Sequence, residues 1–201
     1  MAWDFAAEIS ALTGFNADYN TDTSTGETHR VHATQWLTDS AKEVIKVLPS
    51  RLLHFCASNV SFTSGSPSAL NTGKILTVFR NDGDINQPCR KIEPFHKGRY
   101  SDPDDMNYAT VTDPVYFVEN NTLDVLPVGG SVTYSEVQFP AVAYNSTAIA
   151  SFPDEAERAV IVCAAIKAAE FMLANEEDVE LLTPILAQLE KDYQKELAGL
   201  S

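Results

Sequence analysis

Positive charge is scarce in this sequence. Fourteen Lys and Arg stand against 28 Asp and Glu, a net charge of −14 over 201 residues. Gripping nucleic acid through a general positive field needs clustered Lys and Arg, so that class of function is excluded. Cysteine is scarce too. Cys56, Cys89 and Cys163 lie far apart with no CxxC pair, which excludes a disulfide scaffold and reads as reduced, small hydrophobic side chains. Nine glycines exclude a collagen-like repeat. The most apolar stretch, Ala159 to Ala174, is broken by Lys167 and Glu170 and falls short of the roughly 20 clean residues that a membrane-spanning helix needs. Met1-Ala2-Trp3-Asp4-Phe5 has neither a basic start nor an apolar run, so no secretory leader is expected. The glycosylation-type triplets at Asn59, Asn120 and Asn145 then carry no meaning. There is no P-loop, G-x-G-x-x-G, G-x-S-x-G or HExxH pattern, and no internal repeat.

What is present is a soluble-type composition. Apolar residues make up 44% and charged residues 21%, with enough aromatic and branched aliphatic side chains to exclude a disordered chain. The length suits one domain or two intimate subdomains.

Helical and strand-like patterns alternate along the chain in blocks. Phe5, Ile9 and Leu12 fall at helical spacing over residues 3–12, stopped by Gly14. A polar connector, Asn16 to Thr28, follows. Trp36, Leu37, Val44, Ile45 and Leu48 recur at helical spacing, which predicts a helix over 34–48, capped by Thr34 and ended by Pro49. From Leu52 to about Val142 the pattern switches to short runs of Val, Ile, Thr, Tyr and Phe between turn residues. Asn59–Ser64, Lys74–Arg80, Ile85–Ile92, Pro114–Glu119, Thr122–Leu126 and Ser131–Phe139 read as strands. Asn81-Asp82-Gly83-Asp84, Asn120-Asn121 and Gly129-Gly130 read as the turns between them. A compact antiparallel region of about five to seven strands is expected.

The last block is helical again. A helix starts at Ser151 or Pro153, with Asp154, Glu155 and Glu157 in a first turn that favours negative charge. Ala156 to Ala174 is apolar nearly all round, the mark of a buried helix. Asn175-Glu176-Glu177-Asp178 breaks it. Thr183-Pro184 has the form of an N-cap followed by proline at the first helical position, and Gly199 marks the end. The expected fold is therefore α+β: a small helical bundle, discontinuous in sequence, with an inserted antiparallel β region. Its divisions are 1–30 for the first helix and connector, 31–51 with 150–201 for the bundle, and 52–149 for the β region.

Candidate chemistry is thin. His29 and His32 sit three apart, which on a helix allows a shared metal, but no third ligand stands nearby and surface positions near a helix start are the simpler reading. His54 and Cys56 share a strand face without an orienting acid or an oxyanion donor. Asp102, Asp104 and Asp105 surround Pro103 in a cluster that lacks the glycine and distal Glu of a calcium loop. They read as an exposed tip that could meet Lys or Arg of a partner. Arg90-Lys91 with Lys97 and Arg99 form a small basic patch just before it. No catalytic residue, metal or cofactor is expected.

The phrasing of the chain resembles one family. Gln35-Trp36-Leu37-Thr38-Asp39-Ser40-Ala41-Lys42-Glu43-Val44-Ile45, ending in Leu48-Pro49, resembles the N-terminal helix of head-to-tail adaptor proteins of tailed bacteriophages, of the gatekeeper or tubular tail type and especially those of marine and cyanobacterial phages. Arg90-Lys91-Ile92-Glu93-Pro94-Phe95, Asp113-Pro114-Val115-Tyr116-Phe117 and Asn121-Thr122-Leu123-Asp124-Val125-Leu126-Pro127 are similar to the β region of that group. Phe152-Pro153-Asp154-Glu155-Ala156-Glu157 and Ala174-Asn175-Glu176-Glu177-Asp178 resemble its closing helical hairpin. Residues 1–30 lie outside the resemblance.

It implies a structural protein of the virion neck, made in the host cytoplasm and not an enzyme. It implies a ring, of twelve copies, between the portal protein and the tail tube or nozzle protein, lining a channel through which DNA passes without specific binding. No membrane is involved. The interface positions expected are the tip at Asp102, Asp104 and Asp105, the hairpin at Asp82 and Gly83, Trp36 on the first bundle helix, and Ala165 and Ala169 on the Ala-rich one. Two alternatives stand beside it: another virion part, such as a stopper or tail-completion protein, and a cytoplasmic β-rich ligand-binding module or small enzyme.

Overall fold

The computed structural model describes residues 4–17, 29–83, 85–175 and 179–200. The chain divides into two compact units, one taking Met1–Cys56 with Phe139–Ser201 and the other Ala57–Gln138. The fold is α+β, with the β unit inserted between the two stretches of the helical one.

In the helical unit, α1 (Phe5–Thr13) starts where the Asp4 carboxylate accepts from the N–H groups of Ala6 and Ala7, and stops at Gly14 in the left-handed conformation. Trp3, expected in this helix, lies outside the described residues, as do most of the connector and Glu176 to Asp178. The next helix, α2 (His29–Val47), begins five residues before the expected cap. Thr34 does not cap it; its hydroxyl accepts from the Tyr144 N–H at 3.2 Å. His29 holds the earlier start, stacking on Phe15 with ring centroids 4.9 Å apart and donating from Nδ1 to Asn16 O at 3.0 Å. Pro49 ends α2 as expected, and the short α3 (Ser50–Leu53) and a 3-10 turn through Cys56 follow. Residues 52–56 are therefore helical, where strand pattern was expected.

Helix α5 (Asp154–Ala174) is the centre of this unit. Ala156, Ala159, Ala164, Ala165, Ala168 and Ala169 are all buried, and their small side chains let α1, α2 and α6 (Val179–Leu200) approach it closely. Val162, Ala165 and Ala169 form one apolar cluster with Leu189 of α6, joined by Leu12, Ile185 and Tyr193. Helix α6 differs from expectation at both ends. Thr183 and Pro184 lie inside it, the Thr183 hydroxyl donating to Val179 O at 2.7 Å. Pro184 removes the backbone bond to Glu180 O and crowds that carbonyl, a cost borne near the start of a helix that packing on α5 holds in place. Gly199 is within the last turn.

Among the described residues the β unit holds two four-stranded sheets. The first orders β1 (Ala57–Thr63), β8 (Ser131–Val137), β3 (Ile75–Asn81) and β4 (Asn86–Pro88), all antiparallel. The second orders β2 (Ser68–Ala69), β7 (Thr122–Leu126), β6 (Val115–Glu119) and β5 (Arg90–Lys91). Here one expectation fails: β5 runs parallel to β6. The expected single strand 85–92 is split between the sheets, because Pro88 has no N–H to continue the ladder, while the Cys89 N–H still reaches Val78 O and the Arg90 N–H turns to Pro114 O. The β6–β7 hairpin is as expected, with Asn120 and Asn121 at φ 50° and 58°, the positive values a two-residue primed turn requires.

Strand alternation sorts the side chains. Leu70, Val78, Leu123, Val125, Val132 and Tyr134 fill one core with Val60, Phe62, Tyr116 and Val118 at its margin. Val115, Phe117 and Leu126 point the other way, where Ile92, Tyr100 and Ala109 cover them. That cover is built from a 3-10 turn at Pro94–His96, a short helix α4 (Lys97–Ser101) and the loop after it, elements the sequence pattern had not shown.

Candidate interaction surface

Arg80 organises one end of the β unit. Its parity on β3 matches Val78, so its side chain enters the protein and is 3% exposed. Burying a guanidinium demands partners. Arg80 Nε donates to Pro127 O (3.3 Å) and Nη2 to Gly129 O (2.7 Å), while Nη2 also pairs with the Asp82 carboxylate at 3.1 Å. The Ser64 hydroxyl reaches the same two carbonyls. The turn after β3 is thereby fastened to the turn before β8. The Gly83 N–H donates to Asn81 Oδ1 at 2.7 Å, with Gly83 at φ 99°. Gly130 is required here: at φ +79°, a Cβ on it would stand 2.9 Å from Asn81 O and 3.0 Å from Arg80 Nη2.

Beside this knot lies an open cleft of about 430 Å³, lined among others by Arg80, Asp82, Tyr108, Thr110, Val128 and Gly130. Val128 is 69% exposed and Met106, two residues from Tyr108, is fully exposed. The acidic tip leads straight into the cleft wall. Asp102 Oδ1 accepts from the Asp104 N–H (3.0 Å), and Asp105 Oδ1 accepts from the backbone and side-chain N–H groups of Asn107, both at 2.9 Å. The Tyr108 N–H then donates to Asp105 O at 3.0 Å. The Asn107 donors, and Arg99 at 3.5 Å, hold the Asp105 carboxyl below its ordinary value. Asp102 and Asp104 are exposed. The face around the cleft thus carries the Asp82 carboxylate and, through the bond from Tyr108 to Asp105, the base of the acidic tip, beside the exposed Val128. Such a face suits a partner offering Lys or Arg beside an apolar side chain.

The other expected interface residues are placed differently. Trp36 is half-buried in an aromatic cluster, 5.1 Å from Phe15, 5.7 Å from His32 and 5.4 Å from Phe171 between ring centroids. His29 and His32, read as surface residues or metal ligands, stand in that same cluster. Ala165 and Ala169 are fully buried against α6 of their own chain. Among the described residues no group of three His, Cys, Asp or Glu could hold a metal ion.

Beside the α5–α6 contact, the Lys167 ammonium pairs with Glu43 at 2.9 Å and the Cys163 thiol points at the same carboxylate. Burial pushes the Glu43 carboxyl up, but the Lys167 and Cys163 hydrogen bonds and the Lys167 charge outweigh it, and the net shift is down. Burial raises the Cys163 thiol and the Tyr193 phenol nearby. A thiol held in its protonated form is a poor nucleophile.

Arg80 and Glu136 are two of the four buried charges among the described residues, with Asp124 and Glu157, none of which the sequence pattern marked as buried. Glu136 is fully buried on β8, its Oε1 accepting from the N–H groups of Thr72 (2.6 Å) and Gly73 (2.9 Å). For Arg80 and Glu136 the available signal was parity, since each shares a strand face with its apolar neighbour Val78 or Tyr134.

No helix among the described residues is long and apolar enough to cross a membrane. No protein-family model matches the chain, and no curated protein matches it.

Proposed function

We propose that this chain is a head-to-tail adaptor of a tailed bacteriophage, a ring between the portal and the tail that lines the DNA channel. The observation that carries the reading is the order of the sequence phrases: the helix Gln35 to Pro49, the β segments around Arg90, Asp113 and Asn121, and the closing helices from Phe152, in a chain whose β unit interrupts a helical one. The physics is compatible. An adaptor works through contacts, and a net charge of −14 keeps a passing duplex from adhering to the wall. In this reading the face around Tyr108, Val128 and the acidic tip meets the tail tube or nozzle protein, whose Lys or Arg would pair with Asp102 and Asp104.

The test is binding to a portal protein encoded in the same genome. Cosedimentation of the purified chain with assembled portal rings should saturate at one copy per portal subunit. An absence of binding, or saturation at a few copies per ring, overturns the adaptor reading.

A further inference from the structure

Strand β1 is an outer strand of its sheet. Among the described residues it pairs with β8 along its whole length and with no other strand. An outer strand offers a row of unpaired N–H and C=O groups to other chains, and proteins blunt such edges by keeping them short or by placing proline, charge or a bulge there. The other three outer strands of this unit are blunted: β2 and β5 have two residues each, and β4 has three and ends in Pro88. β1 has seven residues, no proline and no charge, and its register with β8 is unbroken from Ala57↔Val137 to Thr63↔Ser131.

Its surroundings are equally free of charge. From Leu52 to Gly73 there is no Asp, Glu, Lys or Arg, and β8 is uncharged from Ser131 to Ser135. Asn59 and Ser61 are exposed, and they stand beside Ser135 and Thr133 in a row of hydroxyls and an amide, with the Ser61 and Thr133 hydroxyls 3.1 Å apart. Two copies of a chain at −14 repel one another, and this is the edge where they meet without opposing like charges.

We propose that two copies of this chain associate by pairing β1 with β1, antiparallel about a two-fold axis at Val60. In that register Ala57 faces Thr63, Ser58 faces Phe62 and Asn59 faces Ser61 of the other copy. Val60 and Phe62, half-buried at the margin of the core, gain cover from the incoming strand. A two-fold contact closes on two copies. It is a different contact from the head-to-tail one that makes a ring, and it does not rest on the adaptor reading. One strand pair buries less than the roughly 1,000 Å² of a stable complex, so the dimer is reversible.

Sedimentation velocity of the full chain over a concentration series tests this. The expected result is a monomer–dimer equilibrium that shifts toward dimer as salt screens the residual repulsion. Asn59→Asp with Ser61→Asp sets carboxylates opposite each other twice and should weaken the dimer at least about tenfold. Asn59→Asp with Ser61→Lys alters the same two exposed positions with complementary signs and should keep the dimer. A wild-type chain monomeric at every concentration, a dimer indifferent to the paired Asp substitutions, or closed rings in place of dimers overturns the proposal. Should the paired Asp variant fail to fold, hydrogen exchange on the wild-type chain decides. Amides of Ser58 to Phe62 should gain protection as concentration rises, and unchanged protection overturns the pairing.

Discussion

Arg80 and Gly130 show how much of the β unit's end depends on single residues. Nε and Nη2 of the guanidinium are held by two carbonyls and one carboxylate, and the glycine is what lets the chain pass that close. Gly130→Ala combines a positive φ with contacts at 2.9 to 3.0 Å and should cost about 1–3 kcal/mol, measured as a lowered denaturation midpoint. An unchanged midpoint would mean that the two turns are not held against each other. Glu43 supplies a pH test. Its carboxyl lies below its ordinary value of 4.5 in the folded chain, so its contribution is fully present above that value and is lost as pH falls through the lower, folded one. Glu43→Gln should flatten the stability profile below about pH 4.5 and leave its shape above pH 6 unchanged; a parallel profile would mean the pair with Lys167 contributes nothing. Neither Arg80 nor Glu136 was legible in the sequence as a buried charge. Parity put both on an apolar face, but a charge there is burial-competent only with hydrogen-bonding neighbours, and the Thr72, Gly73, Pro127 and Gly129 groups that supply them come together only in the fold.

At the scale of elements, patterns with strong periodicity were legible and junctions were not. The long helices, the Asn120-Asn121 hairpin and β8 follow from spacing and turn chemistry alone. The start of α2 was misplaced because His29 is held by a ring from another segment, and the start of α6 because Thr183-Pro184 has the form of a cap yet sits inside a helix. The small helical cover at residues 94–101 has no period long enough to read.

For α5, burial on every side makes Ala165 sensitive to volume. Ala165→Leu should destabilise by roughly 1–3 kcal/mol through overpacking against Leu189, read as a lower melting temperature; no change would show that α6 does not hold its place on α5. The acidic tip is the opposite case. Asp102 and Asp104 are exposed and Asp105 is half-buried, with bonds mainly within their own loop. Replacing all three by Ser should leave melting nearly unchanged. Exposed ion pairs are worth at most about 1 kcal/mol each; on the adaptor reading a ring would repeat the term in every copy, and the yield of tailed particles should then fall. Normal yield would leave the tip a solvated turn, and Asp82-Gly83 would become the contact to test.

For the whole molecule, net charge and plan bear on function more than any single site does. The candidate surface was partly legible: proline among three acids cannot continue a central strand, which located the tip, and Asp-Gly located the hairpin. The cleft between them was not, because Tyr108, Val128 and Arg80 come together only through the fold. If the channel reading holds, the free chain should not retard duplex DNA in a gel at physiological salt, and tight binding with a steep salt dependence would contradict it.

The central claim is the place of this chain in a particle. If the genome that encodes it is a tailed phage's, as the adaptor reading requires, cryo-electron microscopy of that phage's neck tests this directly. The adaptor reading predicts a ring of this chain directly beneath the portal, with as many subunits as the portal has and its β unit toward the tail. Finding the chain elsewhere in the particle, or absent from it, would contradict the account.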